Sequence, residues 1–564
     1  MAALPRLLDW LRNPPGDRGV RCLTESGWRL CSYDALADRA RRTAAGLACS
    51  GVGDGAVVTL VQRSGPEFVA ALFGAILAGA TPSPLAPPQL FQEAGAYAEQ
   101  AGARLARSRP AVIVAAAEYR ELLGPLADGC GARLVDPERL ATAPPAPVAE
   151  PGAAAALLQF TSGTSGQARG VRVSRAALEA NVHAIARWLK MTGSDGTASW
   201  LPVHHDMGLI GCLITPIVMG GDLWLMSPED FIREPLRYLR CFDGGRARLT
   251  AMPAFALSHM ARRLPPEMLA GIDLSALRTI IVGAERIDAD ALAGFAALGA
   301  RAGLAPTALR PAYGLAEATL AVTGLELGVR WRTVHVDPER LALGARLREM
   351  ESGVAVVGCG RPLAGVEVEV HGPAGERAEN GTVGEIVVSG AGVADGYVDH
   401  DPDRPSRIEG GRLRTGDAGF RLDGELFVLG RLGDALKLRG RHVFAEDLEA
   451  ALVRSGIAPH RLAVVLGEHR GAGVAVAVLE GAAGERADTA VRLLRRRIEH
   501  ARIVVVDAPR GTVQRTSSGK PRRRHLWQQF AAGRLPGEVL ADEAPRTDAP
   551  QSRSENRDSR GIRV

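Results

Sequence analysis

Two short stretches of this chain carry residue types that suit the binding and reaction of phosphates. Residues 515–520, R-T-S-S-G-K, end in Lys520, one of only three lysines beside 65 arginines. The lysine ammonium is a compact charge on a flexible side chain that can reach a reacting oxygen in a narrow site, whereas the arginine guanidinium is a planar group with several N–H donors. A lysine at the end of a Gly- and Ser-rich turn indicates a movable cation, with an exposed turn as the alternative interpretation.

The second stretch, residues 161–170, reads T-S-G-T-S-G-Q-A-R-G and lies between a predicted strand and a predicted helix that begins at Arg175. Glycines let the backbone fold tightly around an anion, and amides and hydroxyls donate to phosphate oxygens. The loop is not a Walker motif, because G-x-x-x-x-G-K-[ST] is absent. It is either a phosphate-binding loop or an ordinary turn between a strand and a helix.

Alternating helical and strand patterns predict the frame that positions these stretches. In the first 150 residues the predicted elements are 33–50, 56–61, 66–79 and 111–116. Short apolar strands between helices imply a parallel sheet covered on both faces. The alternation resumes after a Pro/Ala-rich connector and continues to about residue 330, which predicts a second α/β unit.

The pattern changes at residue 366 to short strands with Gly and Asn turns, which predict a small barrel or meander. Beyond residue 435, strands and helices predict a compact α+β domain. The fold class is therefore α/β, with a large N-terminal domain of two doubly wound subdomains plus a small β-barrel-like subdomain, and a small C-terminal domain. The predicted domains are 1–430, 431–535 and a polar tail, 536–564, that is expected to be disordered.

Composition argues against several other classes of protein. A net charge of +5 over 564 residues and only 4% aromatics do not suit nucleic-acid binding, which needs a basic face with stacking platforms. The cluster at 495–497 is expected to be a solvated helix face. Seven scattered cysteines without a C-x-x-C pair indicate a reducing compartment and no structural zinc. No segment suits a secretory signal or membrane span, so the sequence predicts a cytoplasmic protein without stable membrane insertion.

Four further stretches occur in order between the loop and Lys520. They are S-W-L-P-V-H-H-D-M-G-L-I-G at 199–211, Y-G-L-A-E-A-T-L at 313–320, R-T-G-D at 414–417, and G-R at 430–431 running on to G-R at 440–441. The series resembles the adenylate-forming superfamily of acyl-CoA synthetases, peptide-synthetase adenylation domains and luciferases. The resemblance extends to about residue 530, and it implies that domain 431–535 is a mobile lid with its hinge at 431–434.

The resemblance implies an ATP site. The β- and γ-phosphates would be held by Thr161, Ser162, Gly163, Thr164, Ser165, Gly166 and Arg169. The adenine and α-phosphate would be lined by Gly283, Ala284, Glu285, Ala312, Tyr313, Gly314 and Leu315. Glu317 would help bind magnesium, since a carboxylate suits that hard cation. Asp417 would accept hydrogen bonds from the ribose hydroxyls, with Arg431 adding a contact; a turn-capping aspartate is the alternative.

The implied reaction is attack by a carboxylate oxygen on the α-phosphorus of MgATP, which gives an acyl-adenylate and pyrophosphate. Lys520 would bridge the carboxylate and the α-phosphate. His205 matches the family's histidine near these groups, with a structural histidine as the alternative. Arg169 occupies the position where the family's loop usually has lysine. The positive charge is kept, but a planar guanidinium binds phosphate with a different geometry from an ammonium group.

Several stretches resemble the fatty acyl-AMP ligase branch of this superfamily, notably 201–208, 283–285, 314–320 and 334–362. The last resembles an extra segment that hinders the conformation productive for CoA in this branch. The resemblance therefore implies a fatty or related carboxylic acid, ATP and Mg²⁺ as reactants, and a holo acyl carrier protein as acceptor. An acyl-CoA synthetase and a non-catalytic nucleotide- or acyl-binding relative are the alternatives.

Overall fold

The computed structural model describes residues 4–88, 93–150, 152, 155–161, 168–398, 406–438, 441–481, 484–515 and 519–545. The chain divides into two compact units. The first comprises 1–434 together with 514–525, and the second comprises 435–513 together with 526–564. The three domains drawn from the sequence remain a prediction; the division between the units falls after Asp434.

The helices, in chain order, are α1 Asp9–Arg12, α2 Tyr33–Cys49, α3 Pro66–Leu77, α4 Ala94–Ser108, α5 Arg120–Cys130, α6 Pro137–Leu140, α7 Arg175–Trp188, α8 Thr215–Val218, α9 Pro228–Arg233, α10 Pro235–Leu239, α11 Ala254–Arg263, α12 Ala289–Ala300, α13 Ala445–Arg454, α14 Gly484–Arg495 and α15 Arg523–Ala531. A wide helical segment, Met207–Ile214, and short turns such as Ala316–Ala318 add to these. Among the described residues, no helix combines the length and apolar character needed to cross a membrane.

The strands of the first unit are β1 Gly19–Thr24, β2 Gly27–Ser32, β3 Val57–Val61, β4 Thr81–Pro84, β5 Val112–Ala115, β6 Arg133–Val135, β7 Ala155–Phe160, β8 Gly170–Ser174, β9 Thr197–Ser199, β10 Leu223–Leu225, β11 Leu249–Met252, β12 Thr279–Val282, β13 Leu309–Gly314, β14 Ala321–Gly324, β15 Thr333–Val336, β16 Val354–Val357, β17 Arg361–Pro362, β18 Val366–His371, β19 Gly384–Gly390, β20 Gly396–Tyr397, β21 Arg407–Glu409, β22 Arg412–Leu422 and β23 Glu425–Arg431. Those of the second are β24 Ala435–Leu438, β25 Arg441–Phe444, β26 Leu462–His469, β27 Ala472–Glu480, β28 Arg502–Ala508 and β29 Glu538–Glu543.

Two sheets with parallel cores confirm the predicted α/β class. The larger has nine strands in the order β17-β14-β13-β12-β11-β9-β10-β1-β2, parallel from β13 to β1. The smaller, β4-β3-β5-β6, is parallel throughout. Strands β4, β5 and β11 are buried at every position, as expected where helices cover both faces.

The predicted meander is an antiparallel sheet in which β18, β19, β22 and β21 are neighbours in that order and β23 pairs with β22. The stacked rings of Phe420 and Phe427, 4.9 Å apart, lie on adjacent strands of this sheet. Its long strand β22 and the last strand β23 bring Asp417 and Arg431 opposite each other. The meander therefore supplies two of the predicted site residues.

The second unit has the predicted α+β character. A four-stranded sheet, β26-β27-β28-β29, packs with α13 and α14 around buried Leu452, Val464 and Leu494. A separate hairpin, β24-β25, places Leu436 and Val443 in the same core.

The prediction that disorder begins at residue 536 is wrong for the first part of the tail. Strand β29 pairs antiparallel with β28. Two charged contacts hold it: Arg502 donates two hydrogen bonds of 2.6 Å to Asp542, and Arg495 contacts Glu543 at 3.1 Å. A polar edge strand needs few apolar anchors once a neighbouring strand satisfies its backbone. Residues 546–564 lie outside the described residues.

Candidate active site

The predicted site residues of the large sheet follow the carboxyl ends of neighbouring parallel strands. Strand β9 ends at Ser199 just before the stretch with the histidines, β12 ends at Val282 just before Gly283, and β13 leads through Ala312 and Gly314 to buried Leu315. Because these strands are parallel and close together in the sheet, their carboxyl ends share one edge. Segments that are distant in sequence thus meet at this edge.

Asp417 is held between a cation and a phenol. Arg431 Nε lies 3.2 Å from Asp417 Oδ1, and the hydroxyl of Tyr313 donates to Asp417 Oδ2 at 2.7 Å. The attraction of Asp417 raises the pKa of Arg431, and burial together with Asp417 raises the pKa of Tyr313. The Asp417 amide itself donates to Thr415 Oγ1, at 3.0 Å. The Asp417 carboxylate therefore contacts Tyr313 and Arg431. The hydrogen bond within the turn is made by the Asp417 amide and accepted by the Thr415 hydroxyl.

One oxygen of this carboxylate retains capacity for a ligand. Asp417 is 6% exposed, and its Oδ1, although ion-paired with Arg431 Nε, accepts no hydrogen bond from the described residues. A buried carboxylate oxygen that has left water needs a hydrogen-bond donor. A ribose hydroxyl is a donor of the right kind, so the residues present fit a nucleotide.

Glu317 lies in the short turn Ala316–Ala318, directly after β13, and is 4% exposed. Its Oε1 accepts a hydrogen bond of 3.1 Å from the hydroxyl of Tyr397. The following Thr319 has a φ of 66°, which a branched side chain rarely adopts, and its Oγ1 donates to Gly392 O at 2.8 Å. Strained backbone of this kind occurs at functional sites, where surrounding contacts impose it.

Gly314 ends β13 where the chain leaves no room for a side chain. A Cβ here would overlap the carbonyl oxygen of Leu320, which accepts from the Leu315 amide at 2.9 Å.

We expect Gly314→Ala to lower the free energy of unfolding by about 1–3 kcal/mol through overpacking, and to weaken nucleotide binding by displacing this turn. Thermal unfolding and ATP titration measure the two effects. Gly294→Ala, in the middle of α12 with open space around it, is the control and should not destabilise. An unchanged Gly314→Ala protein would contradict the expectation.

The loop after β12 is also strained. Ala284 has a φ of 67°, and next to it Glu285 Oε1 accepts from the Phe255 amide at 2.9 Å. Burial raises the pKa of Glu285, while the charge of Lys520 opposes that rise. The Glu285 carboxylate thus lies within electrostatic range of Lys520.

The segment 514–525 belongs to the first unit, although the sequence predicts it in the C-terminal domain. Arg515 Nη1 donates to Gly519 O at 2.9 Å, and the Arg522 amide donates to Gln514 O at 2.9 Å, so the described parts of the turn close on each other. Burial lowers the pKa of Lys520 and the charge of Arg431 lowers it further, whereas carboxylates oppose this. Those carboxylates are Glu285, Asp417 and Asp206. Lys520 therefore lies within electrostatic range of Arg431 and of three acidic residues.

The two histidines lie side by side after β9, with ring centroids 4.7 Å apart for His204 and His205. Burial lowers the pKa of His204 well below 6.5, so this imidazole is neutral at physiological pH. The next residue, Asp206, accepts from the Met207 amide at 2.8 Å and begins the wide helical segment; burial raises its pKa. Sequence reasoning did not select Asp206, although it follows His205 directly in the H-H-D-M-G stretch.

The ends of the glycine-rich loop are joined. The Thr161 amide donates to Arg169 O at 2.9 Å, and the Arg169 amide donates to Thr161 Oγ1 at 3.1 Å. The Arg169 guanidinium lies 3.1 Å from the ring centroid of Tyr397 and donates to Ser406. Neither Tyr397 nor Ser406 was selected from the sequence. The other predicted loop residues lie outside the described residues: Ser162, Gly163, Thr164, Ser165 and Gly166.

Comparisons with known proteins agree with one another. A family model described as AMP-binding enzyme matches residues 9–398. The long-chain-fatty-acid–AMP ligase FadD26 of Mycobacterium marinum is 33% identical over 518 residues, which cover 84% of this chain and 87% of that protein. A structure from work on the fatty acyl-adenylate ligases of E. coli and L. pneumophila has a TM-score of 0.85 at 28% identity, covering 94% of this chain and 98% of the other. The L. pneumophila fatty acyl-adenylate ligase in complex with acyl adenylate and pyrophosphate has a TM-score of 0.69 at 26% identity, covering 96% and 98%.

Proposed function

The chain belongs to the AMP-binding enzyme family and is a ligase of the adenylate-forming type, and we propose that it activates a fatty or related carboxylic acid as its acyl-adenylate. ATP would supply the adenylate and pyrophosphate would leave. The acyl group would then pass to the phosphopantetheine thiol of an acyl carrier protein. Such an enzyme would act in the cytoplasm, where ATP is available.

The observation that carries the proposal is the environment of Asp417. Its Oδ2 is held by Tyr313 and its charge is balanced by Arg431, while Oδ1 is buried and without a hydrogen bond from the described residues. The two ribose hydroxyls of ATP can donate hydrogen bonds to this carboxylate. Arg431 contacts Asp417 at 3.2 Å and Lys520 is within electrostatic range of it, which supports a site that offers positive charge for phosphate.

Lys520 suits the chemical step. A carboxylate and the α-phosphate are both anions, so their approach requires a cation between them, and catalysis rests on positioning and charge stabilisation. A compact ammonium on a flexible stem can contact both oxygens. His205 follows the carboxyl end of β9, and we propose that it helps to orient these groups; no protein nucleophile is required.

Glu317 fits a magnesium ion. Mg²⁺ is bound in nucleotide sites by one or two carboxylates together with substrate phosphates and water. The described residues contain no group of three or more His, Cys, Asp or Glu side chains that could hold a metal ion. When bound, the ion would neutralise phosphate oxygens. We propose Glu317 as its protein ligand, and the loop that ends at Arg169 as the site of the β- and γ-phosphates.

The proposed acceptor rests on the relatives and on the extra segment at 334–362. FadD26 is named as a ligase that joins a long-chain fatty acid to AMP. Within the segment, β15 and β16 form a hairpin, and Arg286 Nη2 donates to Ala355 O at 3.3 Å, which ties the hairpin to the loop after β12. An ordered segment beside the site supports the proposal that it restricts the productive use of CoA.

Pyrophosphate exchange across a panel of fatty and aromatic acids tests the first half-reaction. The preformed acyl-adenylate is then offered a holo acyl carrier protein or CoA. We expect exchange with fatty acids and transfer to the carrier protein. Transfer to CoA alone would assign an acyl-CoA synthetase, and ATP binding without exchange for any acid would assign a non-catalytic relative.

The lowered pKa of Lys520 predicts the pH dependence of adenylation. The bridging role needs the ammonium form, which is lost as pH rises through the pKa. Burial and Arg431 place that pKa below the ordinary value of 10.5. The decrease of kcat/KM for pyrophosphate exchange at alkaline pH should therefore begin at a lower pH than it would with an exposed lysine. In Lys520→Arg this limb should disappear, since guanidinium keeps its proton. An identical alkaline limb in Lys520→Arg would assign the titration to another group.

A further inference from the structure

Tyr397 is attached through its backbone to two of the predicted site segments. It lies in β20, which pairs antiparallel with β8 so that Tyr397 stands opposite Val171. The Val398 amide donates to Gly170 O at 2.8 Å, next to Arg169, and the Ala394 amide donates to the backbone oxygen of Glu317 at 2.9 Å. One short segment thus fixes the spacing between the loop end and the carboxylate.

The side chains continue this link as a chain of hydrogen bonds. Arg169 Nη1 lies 3.0 Å from Ser406 Oγ and also donates to Ser406 O at 2.8 Å. Ser406 Oγ lies 3.1 Å from Tyr397 Oη, and Tyr397 Oη lies 3.1 Å from Glu317 Oε1. Arg169, Ser406 and Glu317 are each no more than 8% exposed and Tyr397 is half-buried, so the bonds between Arg169 and Ser406 are shielded from water and those of Tyr397 are partly shielded.

The Tyr397 hydroxyl is the donor at the centre of this chain. Arginine can only donate and a carboxylate can only accept, so Arg169 donates to Ser406 Oγ and Glu317 accepts from Tyr397. The single hydrogen of the Tyr397 hydroxyl lies within reach of two acceptors, Glu317 Oε1 and Ser406 Oγ. A charged carboxylate is the stronger acceptor of the two.

We propose that Tyr397 and Ser406 are positioning residues that orient the Glu317 carboxylate for magnesium, with Arg169 anchoring the chain; this inference rests on the proposed function. A hydrogen bond to a ligating carboxylate fixes which oxygen faces the metal. The arginine is suited to this task because its planar group lies over the Tyr397 ring and reaches two oxygens of Ser406. A lysine could not make all these contacts at once.

Tyr397→Phe tests the proposal, since it removes one oxygen and keeps the ring beneath Arg169. ATP binding is measured by calorimetry without fatty acid, over a series of Mg²⁺ concentrations. The Mg²⁺ concentration that half-maximally enhances ATP binding should rise about tenfold or more, while ATP binding without Mg²⁺ should not change. Ser406→Ala and Arg169→Lys should shift it in the same direction. Tyr97→Phe removes another buried hydroxyl, which donates to Ala86 O at 3.0 Å, and should leave the Mg²⁺ dependence unchanged.

Glu317→Gln separates failure of this inference from failure of the metal site. If Glu317→Gln loses the Mg²⁺ enhancement and Tyr397→Phe keeps it, the positioning role is overturned and the metal site stands. If Glu317→Gln also keeps it, the metal site is wrong and the positioning role falls with it. A drop in ATP binding of equal size with and without Mg²⁺ in Tyr397→Phe would indicate a merely structural role and overturn the proposal.

Discussion

Lys520→Ala should abolish acyl-adenylate formation while leaving ATP binding largely intact. The substitution removes the cation between two reacting anions, and loss of such a preorganised charge costs on the order of 10²-fold or more in rate. ATP should remain bound because Asp417, Tyr313 and Arg431 hold one another independently of this lysine. Pyrophosphate exchange measures the rate, and calorimetric titration measures the affinity for ATP.

The other lysines supply the control. Lys190 is exposed and follows α7, so Lys190→Gln removes the same charge outside the site and should leave exchange unchanged. Lys520→Arg should retain only part of the wild-type activity, because a planar guanidinium replaces a compact ammonium group. Normal exchange by Lys520→Ala would show that the bridging role is wrong.

Asp417→Asn should raise the dissociation constant for ATP about 10²-fold. A hydrogen bond to a charged group contributes about 1.5–3 kcal/mol, and two ribose hydroxyls would lose their charged acceptor. Folding should be little affected, because the Arg431 side chain is 41% exposed and water can solvate its charge once the partner is neutral. Calorimetric titration with ATP checks the affinity, and thermal unfolding checks the fold.

A ribose-specific comparison sharpens this test. The wild-type protein should bind 2′,3′-dideoxy-ATP much more weakly than ATP, and Asp417→Asn should bind the two about equally. Asp423→Asn is the control, since Asp423 is an exposed aspartate of the same meander that pairs with Arg332. If Asp417→Asn still discriminates between the two nucleotides, the carboxylate does not contact the ribose.

Much of the architecture follows from local patterns. The helix predicted at 33–50 is α2, Tyr33–Cys49, and the strand predicted at 111–116 is β5, Val112–Ala115. Both are recognisable because apolar periodicity reports directly which face is buried. The tail was wrongly predicted because β29 is polar, and its order depends on a neighbouring strand that no local pattern identifies.

The sequence by itself determined the order of the motifs, the α/β class and the family, because these depend on residue types and on periodicity along the chain. It also singled out Lys520, Glu317 and Asp417. Only the tertiary structure decided that Asp206 lies within electrostatic range of Lys520 and that Ser406 and Tyr397 connect Arg169 to Glu317. The physical reason is that hydrogen bonds and buried charges act over a few ångströms between segments that are distant in the chain. Their partners are therefore set by strand order and register.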